Sequence, residues 1–252
     1  MVAAAWPVSG TAAPERPKAS AVVGALLWIS LRTRPDIAWA VSRAASYVTT
    51  DSDLCHSRVK HIMQYLFGTF NQGLSYKPVS GNARRHRWSF ADASFAPQGS
   101  RSHEGALVIH GSSPSAPTEH PELGGNLVYW KSGRQSFVTL STAESELVAL
   151  SNGVEATIPL ALTLSELLRT TSDIHHSCDN SAAITMVRKG IESSFRTRHI
   201  SLRAVWLTEL LSGPLKLVYA STDVMLADSL TKGLSGVKYP EIRDKLRLAA
   251  RH

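Results

Sequence analysis

Four acidic residues stand at positions where an acid needs a reason. Asp92 interrupts the apolar and small-residue run Trp88-Ser89-Phe90-Ala91-Asp92-Ala93. That run reads as a strand, and a mid-strand aspartate is costly to bury without a partner. Asp179 follows the run Ile174–Cys178 and leads into a helix through Asn180. Open α/β sheets place ligands at such strand ends, and an aspartate there equally suits capping the next helix.

The segment Ser141-Thr142-Ala143-Glu144-Ser145-Glu146-Leu147 offers two glutamates. Ser141 and Glu144 have the spacing of a capping box, which gives Glu144 a structural role. Glu146 lies roughly 200° further round the helix, so the two cannot face one site. Glu146 shares its face with Ala149, Leu150 and Gly153, a small and apolar row suited to packing on a sheet. An acid on that face is favoured as a ligand. Asp228 sits among Leu226, Ala227 and Leu230 near the end of the chain; it reads either as a fourth ligand or as a solvated acid.

Taken together, these carboxylates make an all-oxygen ligand set, which suits Mg²⁺ or Mn²⁺ rather than zinc. Two such ions, roughly 3.5–4 Å apart, can activate a water and stabilise the leaving oxygen of a phosphodiester. Asp92 is the expected bridge between them.

The elements that must position these residues fall into two regions. Residues 21–31, the stretch opened by Thr33-Arg34-Pro35-Asp36, and the stretch from residues 51–53 to Gly68 each carry helical periodicity. Thr33 is the expected N-cap of the second helix. Residues 77–87, polar and basic, form the expected linker. Beyond it, residues 87–93, 106–110, 127–131 and 136–140 read as extended. Helices are expected at 141–153 with 154–169, Ser181–Lys189, 200–211 and 224–231, and strands at Ile174–Cys178 and 215–220. Three or more strands followed by alternating helices and strands indicate a mixed sheet covered by helices.

The 252 residues carry a formal charge of +7, which favours an anionic partner. No apolar run reaches the roughly 18–20 residues of a membrane span. The first nineteen residues, rich in Ala and Pro, lack the pattern of a secretory signal and read as a disordered arm. Two cysteines, Cys55 and Cys178, are too few for a disulfide framework and suit a reducing, intracellular compartment. No Gly-x-Ser-x-Gly elbow or Walker-type phosphate loop is present.

Residues 20–48 and the following stretch 59–69 closely resemble the segment after the reverse-transcriptase core in copia-type retrotransposon Pol polyproteins. The remainder resembles their terminal ribonuclease H domain. The matching motifs are Phe90-Ala91-Asp92-Ala93, Arg101-Ser102-x-x-Gly105, the stretch 128–151, Cys178-Asp179-Asn180, Arg196-Thr197-Arg198-His199-Ile200 and Leu226-Ala227-Asp228-Ser229-Leu230-Thr231-Lys232, in that order.

The resemblance implies an α/β ribonuclease H-like fold: a mixed five-stranded sheet flanked by helices, preceded by a small helical segment. The implied division is an arm at 1–19, a helical segment like the thumb or connection at 20–76, a linker at 77–87, the ribonuclease H-like domain at 88–236 and a tail at 237–252. It implies two-metal catalysis with Mg²⁺ (or Mn²⁺), cleavage of the RNA strand of an RNA–DNA hybrid, and an acidic tetrad at Asp92, Glu146, Asp179 and Asp228. Lys131, Arg134, Arg196, Arg198, Arg203 and Lys232 are the candidates for contacting nucleic acid.

The chain departs from the family pattern in four ways, one of them a longer insert at residues 111–124. Ser94 and Phe95 stand where the family often has Asp-Trp. Ser221-Thr222-Asp223 replaces the His found shortly before the last acid in cellular ribonucleases H. No Tyr-x-Asp-Asp polymerase motif is present, so partners include a missing polymerase core or a second copy of the chain. The alternative expectation is a catalytically silent, nucleic-acid-binding remnant.

Overall fold

The computed structural model describes residues 18–78, 85–97, 101–112, 125–169, 174–189, 198–213, 215–234 and 238–250. Its centre is a five-stranded sheet. Strands β2 (Arg85–Ser94), β3 (His103–Ser112) and β4 (Gly125–Arg134) form an antiparallel meander, and β5 (Ile174–Cys178) and β6 (Leu215–Tyr219) add in parallel beside β2. The order β4-β3-β2-β5-β6 puts β2 in the middle. Asp92 therefore stands on the central strand, near the carboxyl end of its parallel neighbour β5, where Phe90 pairs with Ser177.

Two layers cover this sheet, and side-chain size along β2 and β3 decides which goes where. On one face Ala91, Ala93 and Ala106 leave room for α4 (Thr142–Leu168) to sit close, packed through Ala149. A Cβ added at Gly153 would stand 3.2 Å from the Ala91 Cβ and 2.9 Å from the His176 ring, so glycine permits this approach. Helices α5 (Ser181–Lys189) and α6 (Arg198–Leu210) complete that layer through Leu147, Leu150, Ile184 and Leu207. The opposite face presents Trp88, Phe90, Leu107, Ile109 and Trp130, buried under Met225, Leu226, Leu230, Leu246 and Leu248.

The expected helix starting at Ser141 is capped as its spacing predicts. The Glu144 N–H donates to Ser141 Oγ at 3.2 Å, and Glu144 Oε2 reaches back to accept from the Leu140 N–H at 2.8 Å. The two helical stretches expected at 141–169 are one unbroken helix that carries Pro159 inside it. It is long and apolar enough to cross a membrane, but half of its most apolar window is buried within the protein, which marks it as the core helix of the sheet.

Helices α1 (Ala19–Arg32), α2 (Ala38–Ala45) and α3 (Ser52–Gly68) pack a core of their own around Leu26, Val41, Cys55 and Ile62. They are tied to the sheet as well. The Trp130 Nε1–H donates to the Ser30 carbonyl at 2.6 Å, and Ala38 joins the core beneath Trp88.

Several expected elements take a different form. Thr33 does not cap a helix: Pro35–Ile37 is a 3-10 turn entered from Arg34, and Asp36 is buried in an ion pair with Arg34 at 2.7 Å. Tyr65 and Tyr239 extend this network from α3 and from α7 (Lys238–Lys245). Residues 136–140 are not a strand; Val138 and Leu140 stand 55% and 71% exposed, while Phe137 and Thr139 turn inward without strand pairing. The helix expected at 224–231 is a shorter 3-10 turn, Leu226–Leu230.

Of the expected linker, residues 85–87 begin β2, and 79–84 lie outside the described residues. Within the expected tail, α7 is followed by β7 (Leu248–Ala250), which pairs antiparallel with β1 (Gln72–Leu74). Most of the arm at 1–19 lies outside the described residues.

Candidate metal centre

The four acids come together from four elements. Asp92 is on β2, Asp179 just past β5, Glu146 on the first turns of α4, and Asp228 on the 3-10 turn. Carboxylate oxygens of Asp92, Asp179 and Asp228 lie within 4.8 Å of one another, and Asp179 is likewise within that distance of Glu146 and the Cys178 sulfur. Asp179 is thus common to both groups.

Local sequence explains the convergence. Parallel strands sit roughly 4.8 Å apart, so β2 and β5 bring Asp92 and Asp179 side by side. Asp228 arrives because Gly105, opposite Asp92 in β3, has no side chain. A Cβ there would meet the Leu230 Cβ at 2.5 Å and the Ala227 carbonyl at 3.1 Å, so the 3-10 turn rests directly on the strand backbone.

Each carboxylate has a distinct partner. Asp92 accepts a hydrogen bond from the Thr231 hydroxyl, and Asp179 accepts one from the Thr222 hydroxyl at 3.0 Å. The Lys232 ammonium pairs with Asp228 at 2.8 Å and stands 4.0 Å from Asp92. Glu146 receives a backbone hydrogen bond from Ala93, but its Oε2 is buried with no donor.

Burial dominates the electrostatics. Desolvation, joined by the Asp92 and Asp179 charges, pushes the Glu146 carboxyl from its ordinary 4.5 up to about 9. Asp228 rises from 3.8 to about 6, chiefly through burial and against the pull of Lys232. Burial also raises Asp92, opposed by Thr231 and Lys232. Burial works against the Lys232 charge, yet its three acidic neighbours hold it above its usual range.

An acid whose folded pKa exceeds its unfolded one stabilises the fold at low pH and ceases to as pH rises through the folded value. The metal-free protein is therefore expected to lose thermal stability as pH climbs from about 4.5 towards about 9, the window set by Glu146. Melting curves in chelator should show that slope, and Glu146→Gln should flatten it. A metal-free Tm independent of pH across the window would contradict the assigned burial.

The expected nucleic-acid contacts are distributed unevenly. Lys232 belongs to the carboxylate cluster itself. Lys131 pairs with Glu104 at 3.1 Å, and Arg134 is exposed at the end of β4. The Arg203 guanidinium donates to Asn152 Oδ1 at 3.0 Å and to the Ser151 hydroxyl, which joins α6 to α4. Arg198 opens α6, and Arg196 lies outside the described residues.

Sequence reasoning met Gly105, Thr222 and Thr231 only inside motifs and gave them no part in the site. The signal for Gly105 was present: a glycine inside a strand marks a close backbone approach. Nothing local distinguished the two threonines. Cys178, at the edge of the cluster, has its thiol pushed up to about 12 by burial first and by the neighbouring acids.

A three-strand meander with two parallel strands added beside its first strand, and acids at the central strand ends, defines a ribonuclease H-like α/β domain. The chain is similar in sequence to retrovirus-related Pol polyproteins from plant transposons. It is 30% identical over 241 residues to the retrovirus-related Pol polyprotein from transposon RE2 of Arabidopsis thaliana, covering 94% of this chain and 15% of that protein. It is 29% identical over 216 residues to the one from transposon TNT 1-94 of Nicotiana tabacum, covering 84% of this chain and 15% of the relative.

The chain thus spans a small part of the curated relatives it matches. Among solved structures, a ribonuclease H domain from Mycobacterium tuberculosis aligns at 11% identity with a TM-score of 0.38, over 63% of this chain and 96% of that one. The fold assignment rests on strand order rather than on that score. No protein-family model matches the chain.

Proposed function

We propose that this chain is a metal-dependent endonuclease of the ribonuclease H type, cleaving the RNA strand of RNA–DNA hybrids, with Asp92, Glu146, Asp179 and Asp228 as its centre. The observation that carries the proposal is the cluster of Asp92, Asp179 and Asp228, joined through Asp179 to Glu146, one of whose oxygens is buried without a donor. An all-oxygen set with an unsatisfied acceptor fits divalent cations, Mg²⁺ or Mn²⁺, held by these residues. Bound there, a pair of such ions would supply an activated water and charge stabilisation for the leaving oxygen.

The protein's own groups do the positioning. Thr231 and Thr222 orient Asp92 and Asp179 by hydrogen bonds to one oxygen each. Lys232, 44% exposed, is placed to meet a phosphate of the scissile strand. Lys131 and Arg134 at the end of β4, with Arg196, Arg198 and Arg203, are the further proposed backbone contacts. RNA would be told from DNA by its 2′-OH and by duplex shape.

We further propose the division into a connection-like segment at 20–76, a linker at 77–87 shortened at its end because β2 begins at Arg85, a nuclease domain reaching residue 236, and flanking ends at 1–19 and 237–252. In the first of these, Trp28, Phe67 and Phe70 stand 65–84% exposed. Such a surface suits another protein, a polymerase core or a second copy. An intracellular setting fits two buried, unpaired cysteines.

The test is direct. The purified chain should cut a labelled RNA–DNA hybrid in Mg²⁺, and Asp179→Asn should stop it. One feature favours a second reading, a silent nucleic-acid-binding remnant: Thr222 occupies the stretch where cellular ribonucleases H carry a His. Hybrid binding with no Mg²⁺-dependent cutting would establish that reading and defeat the first.

A further inference from the structure

The centre is not chemically uniform. Its ligand atoms form two overlapping groups: Asp92 with Asp179 and Asp228, and Glu146 with Cys178 and Asp179. The first group offers oxygen alone. The second brings in a thiol sulfur at the end of β5, buried completely and accepting a hydrogen bond from the Asn180 N–H at 3.4 Å.

Two independent observations mark the second group as a ligand site. Its three ligand atoms lie within 4.8 Å of one another, a span that a cation with bonds of roughly 2.0–2.3 Å closes with a small contraction. Glu146 is 4% exposed, and its Oε2 has no donor although it is buried. Soft sulfur ligands select different cations from hard oxygens.

We propose that Glu146, Cys178 and Asp179 form a site for a thiophilic divalent cation such as Zn²⁺ or Cd²⁺. On binding, a metal–sulfur bond forms as the thiol proton passes to solvent, and no change of oxidation state is involved. Glu146 and Asp179 are shared with the proposed magnesium centre, so the two cations compete. Only this competition rests on the nuclease reading; the site itself stands on the geometry.

The second cysteine supplies the control, since Cys55 is buried in the separate core of the helical segment. The full chain, metal-free and reduced with a phosphine, is titrated with Cd²⁺ and followed by sulfur-to-metal charge-transfer absorption in the ultraviolet. The band should saturate at equimolar cadmium, persist in Cys55→Ser and vanish in Cys178→Ser. Glu146→Gln, which keeps the thiol, should weaken cadmium binding by at least about tenfold. No band in the unsubstituted protein, a band surviving Cys178→Ser, or an affinity untouched by Glu146→Gln each overturns the proposal.

A parallel Mn²⁺ titration, read by loss of the free-ion paramagnetic signal, separates this inference from the nuclease reading. Mn²⁺ uptake without a cadmium band defeats the thiol site and leaves the nuclease reading standing. A Cys178-dependent cadmium band without Mn²⁺ uptake supports the thiol site and defeats the nuclease reading.

Discussion

Asp92→Asn is expected to lower Mg²⁺-dependent cleavage of an RNA–DNA hybrid by on the order of 10³-fold or more, while leaving the protein folded. Asparagine keeps the size of the side chain and an oxygen for the Thr231 hydroxyl, so the local hydrogen bond survives. What it removes is a negative charge that is 2% exposed and crowded by other acids. Its loss relieves repulsion within the metal-free cluster, so the variant should melt at a higher temperature than the unsubstituted chain in chelator.

The same substitution should weaken Mg²⁺ binding and shrink the stabilisation that the ion provides. Activity and metal-free stability should therefore move in opposite directions, which a simple packing defect would not produce. A variant that cuts at the original rate would remove Asp92 from the centre.

The second large effect is expected at a residue with no side chain. Gly105→Val places a Cβ where the Leu230 Cβ lies 2.5 Å away, with the Thr231 methyl at 3.0 Å. The 3-10 turn must lift off β3, and overpacking of this kind costs roughly 1–3 kcal/mol. For a chain of this size that corresponds to a fall of about 3–10 °C in Tm.

Asp228 and Thr231 ride on that turn, so the cost to activity should exceed the cost to stability. A displacement near 1 Å in a catalytic arrangement is worth about 10²-fold. Gly133→Ala serves as the comparison, because nothing lies within 4 Å of a Cβ added there. If Gly105→Val retains full cleavage, the turn does not position Asp228.

Legibility varied with how local each cause was. The bounds of β5 and α5 could be read directly, because the short run Ile174–Cys178 gives way at once to Asp179-Asn180 and a helical pattern. The choice of Glu146 over Glu144 was also local, and the capping contacts bear out the role given to Glu144. The mixed sheet followed from the switch of period along the chain.

The features that were missed depend on distant partners. Arg34 and Asp36 look like a helix entrance, but their burial comes from Thr69, Tyr65 and Tyr239, far along the chain. Leu226–Leu230 has the spacing of a helical turn and becomes 3-10 because it is pressed onto Gly105. His86, His103, His110, His175 and His176 line buried strand positions. A polar type there blurs the alternation that strand reading relies on. Lys232 read as a candidate for contacting nucleic acid, and its pairing with Asp228 and nearness to Asp92 appear only in the fold.

The short ribbon of β1 and β7 bears on how the chain can fold. Gln72 pairs with Ala250, Gly73 with Ala249 and Leu74 with Leu248, so nearly the whole nuclease sheet lies between the two partners. Loop closure over such a separation carries a large entropic cost before any contact repays it. During synthesis this clasp cannot form until residue 250 has been made. Until then Trp88 and Phe90 lack Leu246 and Leu248 as cover. The nascent chain is therefore expected to leave this aromatic core partly uncovered, a state open to chaperone capture or aggregation until the last residues dock.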